Sequence, residues 1–509
     1  MKGFVFIDCP EQYTRFVANK AFDEIENNQE IIFIIVKSDP RMNKLALNMQ
    51  TMGKTVISIP FYQGRFNQWL ELFNLSCAIY QNLSPSFEVR FNEIIKNSPE
   101  YKKTYDKMRV TSDLNTDYKN YRDKIEREMG VNPDLLMLVK REKPAFFILP
   151  SALLDSITDD VLQLADILNI PTLFLVAGWD NLSSKGLLYH KPTLIGVWGE
   201  QSAKHAHLIQ KIPSDIIYSI GAPHFEKYYF LRDNATSTGI EEITSDNDRK
   251  IILFAGTVRA FDEISILQEI DDLITSGVLP PLLIIYRPHP YRDSRKFEDN
   301  FFDHLWRNVK MDPDIKEAYI KSHGKSISNE YNNINRMDYL ANLYKNVDAV
   351  ICPMSTVLLE GIIFGLPCLA ISFGDNKHSW SIDKVAKMEH FKEFFLIQDI
   401  IVCKSKNTLI SDIQQLLLKM GDKKISNNLK DNANYFVYHD NQSYSSRLNK
   451  LLEILFTKSG MTPRYNQISL KPGRTNWEVT VKMKIYQAIV YVSLKSKSFY
   501  RSTIKTIWK

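Results

Sequence analysis

The chain has 509 residues, of which 44% are hydrophobic and 24% charged, and its formal net charge is +5. That length exceeds what one hydrophobic core usually supports, and the balance is that of a globular protein, which excludes a disordered or fibrous chain. Five scattered cysteines (Cys9, Cys77, Cys352, Cys368, Cys403) are odd in number and lie mostly in or beside apolar runs, arguing against a disulfide framework and a cysteine-based zinc site.

In chain order, 4–8, 31–36 and 55–59 read as strands, separated by helical stretches near 11–26 and 41–52, a βαβαβ opening. The opening residues MKGFVFIDCPEQ read as a strand and a turn rather than a secretory leader, and no run of eighteen apolar residues follows, so the expected location is the cytoplasm. Asp8 and Glu11 fall just past the first strand, at the carboxyl edge of the sheet, although helix capping also accounts for them. Residues 86–142 are dense in charge and predict a helical insertion. Strands resume at 145–149, 171–176, 194–197 and 216–220.

The loop Trp179-Asp180-Asn181-Leu182-Ser183-Ser184-Lys185-Gly186 follows one of these strands and so belongs at the carboxyl edge of the sheet. There Asp180 is a candidate base, Asp180 and Lys185 could contact an acceptor or a pyrophosphate, and Asn181 could contact the hydroxyls of an acceptor; as plain turn formers they would carry no chemistry. His205, His207 and His224 lack the spacing of a metal site and are expected on surface helices or loops. The first domain is expected over 1–233. The polar, turn-rich stretch 234–249 is the expected linker, about which the two domains would close on a substrate.

The second domain is expected over 250–456. A strand at 251–254 runs into Ala255-Gly256-Thr257, one at 282–286 into Arg287-Pro288-His289-Pro290, and one at 350–352 into Ser355-Thr356 and a helix carrying Glu360. A glycine lets backbone approach a ligand, the prolines stiffen the turn that presents Arg287 and His289, and the helix start offers unpaired amides to an anion. Glu360, one helical turn beyond Thr356, reaches a ribose. Gly256, Thr257, Arg287, His289, Ser355, Thr356 and Glu360 are therefore expected to converge on one crevice that holds a nucleotide. The bland alternatives are capping by Ser355 and Thr356, a structural His289, and an Arg287 paired with an acid such as Glu360. Asp375 and His378 either border the sugar pocket or lie in a solvated loop.

The tail 457–509 carries eleven Lys or Arg from Lys458 onward against one acid, Glu478, and alternates apolar with basic residues. It reads either as an amphipathic segment for an anionic membrane surface or, more blandly, as a disordered basic terminus or a helix packed on the protein. No nucleic-acid reader motif accompanies the charge, so nucleic acid is not an expected partner.

The pattern Ser355-Thr356, Glu360-Gly361, Gly365 and Pro367, the Arg-Pro-His-Pro turn and the 179–186 loop resemble the nucleotide-sugar glycosyltransferases of the two-Rossmann-domain type, GT-B, that build bacterial surface polysaccharide. The His-Pro turn followed by a Ser-Thr helix start is similar to sialyl- and Kdo-transferases, and the helix start is also similar to CDP-glycerol polymerases. The resemblance covers roughly residues 1–455. It implies an α/β fold of two Rossmann-like domains facing a cleft, with a helical insertion and a basic tail. It also implies a metal-independent transferase whose co-substrate is a CMP-, UDP- or GDP-linked sugar and whose acceptor is a glycan or a lipid-linked molecule. Arg287, His289 and the helix start would stabilise the leaving phosphate, and Asp180 or Asp8 would be the base. The rival readings are a CDP-glycerol or CDP-ribitol polyol-phosphate transferase, a nucleotide-sugar 2-epimerase, and a non-catalytic glycan-binding scaffold.

Overall fold

The apolar runs fold as parallel strands whose register buries both faces. The computed structural model describes residues 1–97, 102–103, 106, 114–153, 157–234, 249–258, 261–290, 292, 301–321, 336–378, 382–460 and 462–465. In the first sheet, β1 (Lys2–Ile7), β2 (Glu30–Lys37), β3 (Thr55–Pro60), β4 (Phe146–Ser151), β5 (Thr172–Val176), β6 (Leu194–Val197) and β7 (Ile217–Ser219) stand in the order β3-β2-β1-β4-β5-β6-β7. In the second, β8 (Lys250–Ala255), β9 (Leu282–Arg287), β10 (Val309–Met311), β11 (Ala349–Pro353), β12 (Cys368–Ile371) and β13 (Ile401–Cys403) stand in the order β10-β9-β8-β11-β12-β13. Every pairing is parallel.

In both sheets the strand order reverses beside the first strand of the domain, between β1 and β4 and between β8 and β11. Such switch points open a crevice at the carboxyl ends of the strands, where doubly wound sheets bind ligands. The protein is thus an α/β molecule of two Rossmann-like domains facing a cleft, the GT-B plan. Two short strands, β10 and β13, have no counterpart in the sequence reading; three residues give too few alternations to stand out from a loop.

The charge-dense insertion supplies the helices Pro85–Asn97, Leu114–Met129 and Pro133–Glu142. It packs on the helix Gln63–Ile79 in small cores of their own, where Trp69 stacks on Phe73, and Tyr118, 2% exposed, donates its hydroxyl to the Leu72 carbonyl. The helix Tyr444–Ser459 returns to the first sheet: Leu448, Leu451, Leu452 and Leu455 are buried in the same cluster as Val5, Phe33, Ile148 and Leu173. Each such leucine contributes roughly 1.5–3 kcal/mol by burial, and Arg447 adds a hydrogen bond of 3.0 Å to the Ile220 carbonyl. This helix thereby fastens the second domain to the first.

All five cysteines are free thiols, four of them buried. Most of the expected linker, 235–248, and the tail beyond residue 465 lie outside the described residues, and so does the membrane contact expected of that tail. Among the described residues no helix is long and apolar enough to cross a membrane.

Candidate functional site

A cavity of about 520 Å³ lies between the two sheets. From the first domain, the turn after β1 brings Asp8, Glu11 and Arg15 to it, the turn after β5 brings Asp180, Asn181 and Lys185, and the helix Pro223–Asp233 brings His224. From the second domain, Thr356 and Glu360 close the opposite wall.

Asp8 is 8% exposed; its backbone N–H donates to Gln12 Oε1 at 2.8 Å, and its carbonyl accepts from Ser38 Oγ at 2.6 Å. Cys9, not Asp8, occupies the N-cap of the following helix. The capping explanation for Asp8 thus gives way to a carboxylate held at the cleft by its backbone. Glu11 is exposed on the same wall.

Arg15 stands on a π-helical turn, Tyr13–Val17. π-turns occur frequently at functional sites because the extra residue re-aims a side chain. Its guanidinium donates to the Ala177 carbonyl, and among the described residues no carboxylate forms an ion pair with it. Gly178 permits the approach, since a Cβ there would lie 3.1 Å from Arg15 Nη1.

Asp180 and Lys185 form an ion pair at 3.0 Å, and Ser184 Oγ donates to Asp180 Oδ2 at 2.8 Å. Burial opposes the Asp180 charge, but Lys185, with His390 and Arg90, holds the carboxyl far below the usual range. A carboxylate so stabilised is a weak base. Asp180, one of the two acids expected to accept a proton, is therefore poorly suited to do so. Asn181, 3% exposed, turns its Nδ2 to Asp180 Oδ1 at 3.3 Å, while its Oδ1 has no hydrogen-bond partner.

His224, expected on the surface, is half-buried at the cleft, with its ring against Trp198 and Phe225. Burial first, and then the Arg15 charge, push its pKa well below the ordinary value. The ring is neutral, and its Nδ1 has no hydrogen-bond partner. His205, also expected on the surface, is buried at the seam between the domains.

On the opposite wall, Glu360 Oε2 accepts from Tyr344 at 2.9 Å and from Tyr228 at 3.2 Å. Burial raises its pKa; these hydrogen bonds, then Arg287 and Arg15, act in the other direction. Thr356 is exposed to the cavity without a side-chain capping bond, whereas Ser355 Oγ accepts from the Val357 N–H at 3.4 Å and serves as a cap.

The other two strand ends of the second domain do not reach this cavity. Arg287 is 8% exposed and bound to Asp312 and to Asp314, the latter at 3.1 Å. These two acids follow β10, the strand that the sequence reading lacked, so a partner other than Glu360 takes the arginine. His289 is half-buried, and its carbonyl accepts from the Arg292 N–H at 2.8 Å. The Gly256-Thr257 turn is filled from within: Glu263, 0% exposed, accepts from the Thr257 N–H at 2.8 Å, from Tyr286 at 2.7 Å and from Arg292 at 3.1 Å. A Cβ at Gly256 would lie 2.5 Å from the Glu263 carboxylate, so the glycine makes room for an internal acid. Asp375 accepts from His378 Nδ1 at 2.7 Å in a loop that does not line the cavity.

A second cavity of about 300 Å³ lies wholly in the first domain and shares Asp8, Cys9 and Glu11 with the first. Phe61, Phe66 and Val36 form its apolar wall, and the Asp39–Arg41 pair, 2.8 Å apart, its polar rim. Arg15, His224 and this chamber escaped the sequence reading. The available signal was weak: a lone arginine one helix into the first domain, and a Pro-His pair ending a strand.

No protein-family model and no curated protein matches the sequence. Among solved structures the chain is similar to the MnaA protein of S. aureus in a co-structure with UDP, at 13% identity over 93% of this chain and 99% of that one, with a TM-score of 0.48. It is also similar to the UDP-GlcNAc 2-epimerase of Methanocaldococcus jannaschii, at 12% identity over 89% and 100%, with a TM-score of 0.49. A glycosyltransferase of Rickettsia africae ESF-5 is similar at 12% identity over 90% and 98%, with a TM-score of 0.46. Likenesses this distant assign no activity.

Proposed function

We propose that the protein is a glycosyltransferase that moves a sugar from a nucleotide-activated donor to an acceptor hydroxyl. The observation that carries this reading is the pair of adjoining cavities with a shared wall of Asp8, Cys9 and Glu11. A donor fits between the domains. Its nucleotide lies toward Ser355, Thr356 and Glu360, its phosphates toward Arg15, and its sugar toward Asn181 and His224. The chamber in the first domain then takes the acceptor, whose hydroxyl meets Asp8 at the boundary.

In this reading Arg15 supplies the phosphate contact expected of Arg287, through a guanidinium fork suited to phosphate oxygens. The Asp180–Lys185 pair shapes the pocket instead of exchanging protons. Asp8 accepts the acceptor's proton, a role whose loss typically lowers the rate by about 10²–10⁴-fold.

A second reading is favoured by one observation. The neutral His224 and the carboxylates of Asp8 and Glu11 line the cavity that would hold the sugar, so two proton-transfer groups bracket a single substrate, as a nucleotide-sugar 2-epimerase requires.

Incubation with UDP-, GDP- and CMP-sugars, with and without a panel of glycosyl acceptors, separates the two. Nucleotide release that depends on acceptor, and that Asp8→Asn abolishes, supports transfer. An isomerised nucleotide-sugar formed without acceptor establishes epimerisation. If no nucleotide raises the melting temperature, both readings fail.

A further inference from the structure

Away from the cleft, the fold brings together Glu126, Asp159 and His190, none of which lines either cavity. Glu126 comes from the helix Leu114–Met129 of the insertion, Asp159 from the first turn of the helix Ile157–Leu168, and His190 from the loop leading to β6. One ligand atom from each lies within 4.8 Å of the other two.

The separations are those of metal ligands rather than of a closed hydrogen bond. Glu126 Oε1 and His190 Nε2 stand 3.5 Å apart. A charge-assisted hydrogen bond would draw them to about 2.7–2.9 Å. Two ligands at about 2.0–2.1 Å from a tetrahedral ion are about 3.3 Å apart. Both atoms are shut off from solvent and lack a hydrogen-bond partner. A half-buried cluster in which Glu126 Oε1 and His190 Nε2 are shut off from water is costly unless something satisfies those two atoms.

The neighbouring cations do so only in part. Arg122 Nη2 donates to Asp123 at 2.8 Å, and its Nε pairs with Glu126 Oε1 at 3.5 Å without closing a hydrogen bond. Lys191 is turned to the carbonyls of Leu188 and Gln210, at 2.7 and 2.6 Å. Asp160, next in sequence to Asp159, is occupied by Arg65 and Asn132.

We propose that Glu126, Asp159 and His190 bind one divalent transition-metal ion of the Zn²⁺ type, with water completing the shell, and that the ion clips the helical insertion to the first domain. One imidazole and two carboxylates form a nitrogen-oxygen set that suits Zn²⁺, Mn²⁺ or Fe²⁺ better than the all-oxygen preference of Ca²⁺ or Mg²⁺. The three ligands are more than thirty residues apart in the chain, so no sequence spacing announces them.

The test uses the full chain, stripped with a chelator and titrated calorimetrically with Zn²⁺ and separately with Co²⁺. The expected result is one ion per chain, a higher melting temperature, and visible d–d bands for Co²⁺ in a low-coordinate site. His190→Gln and Glu126→Gln should each weaken uptake by at least roughly tenfold, while the response to nucleotides stays that of the parent. Absence of uptake by the folded parent, or equal uptake by both variants, overturns the site. The parent titration decides the matter even if a variant fails to fold.

Discussion

The Tyr228 hydroxyl, on a helix of the first domain, donates to Glu360 Oε2, in the second domain, at 3.2 Å. This one bond joins the back of the cleft across the domain boundary, and Tyr344 shares the same oxygen at 2.9 Å. The Glu360 carboxylate is thereby oriented before any ligand arrives, so a ribose would meet a fixed acceptor, not a mobile one.

Tyr228→Phe therefore leaves a buried carboxylate with one donor fewer. We expect a stability loss of about 1–3 kcal/mol in urea denaturation, together with weaker nucleotide binding, because Glu360 gains freedom. A variant as stable as the parent, with unchanged nucleotide affinity, would show that the bond does not position Glu360.

Arg15 and Arg287 should behave oppositely. Arg15→Ala removes a guanidinium that faces the cavity and has no carboxylate partner among the described residues, so nucleotide affinity should fall by more than tenfold, with stability changed by less than about 1 kcal/mol. Arg287→Ala leaves Asp312 and Asp314 uncompensated, and breaking a buried pair in this way costs about 3–5 kcal/mol. Thermal melts with and without UDP, GDP and CMP check both. A stable Arg287→Ala protein that no longer binds nucleotide would return the phosphate site to the Arg-Pro-His-Pro turn.

The seam between the domains holds two buried histidines. Burial lowers His205 to about 4 and His390 to about 3; near His205 stand Glu389, Glu393, Lys204 and Lys392, and near His390 stand Asp180, Lys185 and Arg90. Both folded pKa values lie below the ordinary histidine value of about 6.5, so the unfolded chain binds more protons between the two. The contribution to stability is thus complete above about pH 6.5 and is lost as the pH falls toward 4, at roughly 1.4 kcal/mol per pH unit for each histidine. Urea denaturation at pH 7 and pH 5 should show this slope. His390→Gln should flatten it, and a slope unaltered in the variant would assign the acid sensitivity elsewhere.

Much of the architecture was legible because its signals are local. The run 282–286 ended in two prolines and became β9, and the run 350–352 became β11, since an apolar segment closed by turn formers has few ways to fold other than as a buried parallel strand. The same rule puts Asp8, Glu11 and the 179–186 loop at the cleft, because a residue that follows a parallel strand must emerge at its carboxyl edge.

What stayed illegible depends on partners that the pattern of strands and turns does not reveal. Arg287 stands where a strand end should present it, yet Asp312 and Asp314 reach it from beyond a three-residue strand. Gly256 looked like a ligand-approach glycine and instead accommodates Glu263. Arg15 and His224 looked like ordinary helix residues until a π-turn and the packing of two domains aimed them at one cavity.

The chain by itself determined two parallel sheets and the edge of each at which chemistry can occur, because hydrophobic periodicity and turn residues act over a few positions. Only the tertiary structure decided which charges at those edges are neutralised and which face the cleft. Ion pairing and burial depend on where the fold sets groups from different elements, and a carboxylate in contact with an arginine removes it from the site whatever its place on the strand.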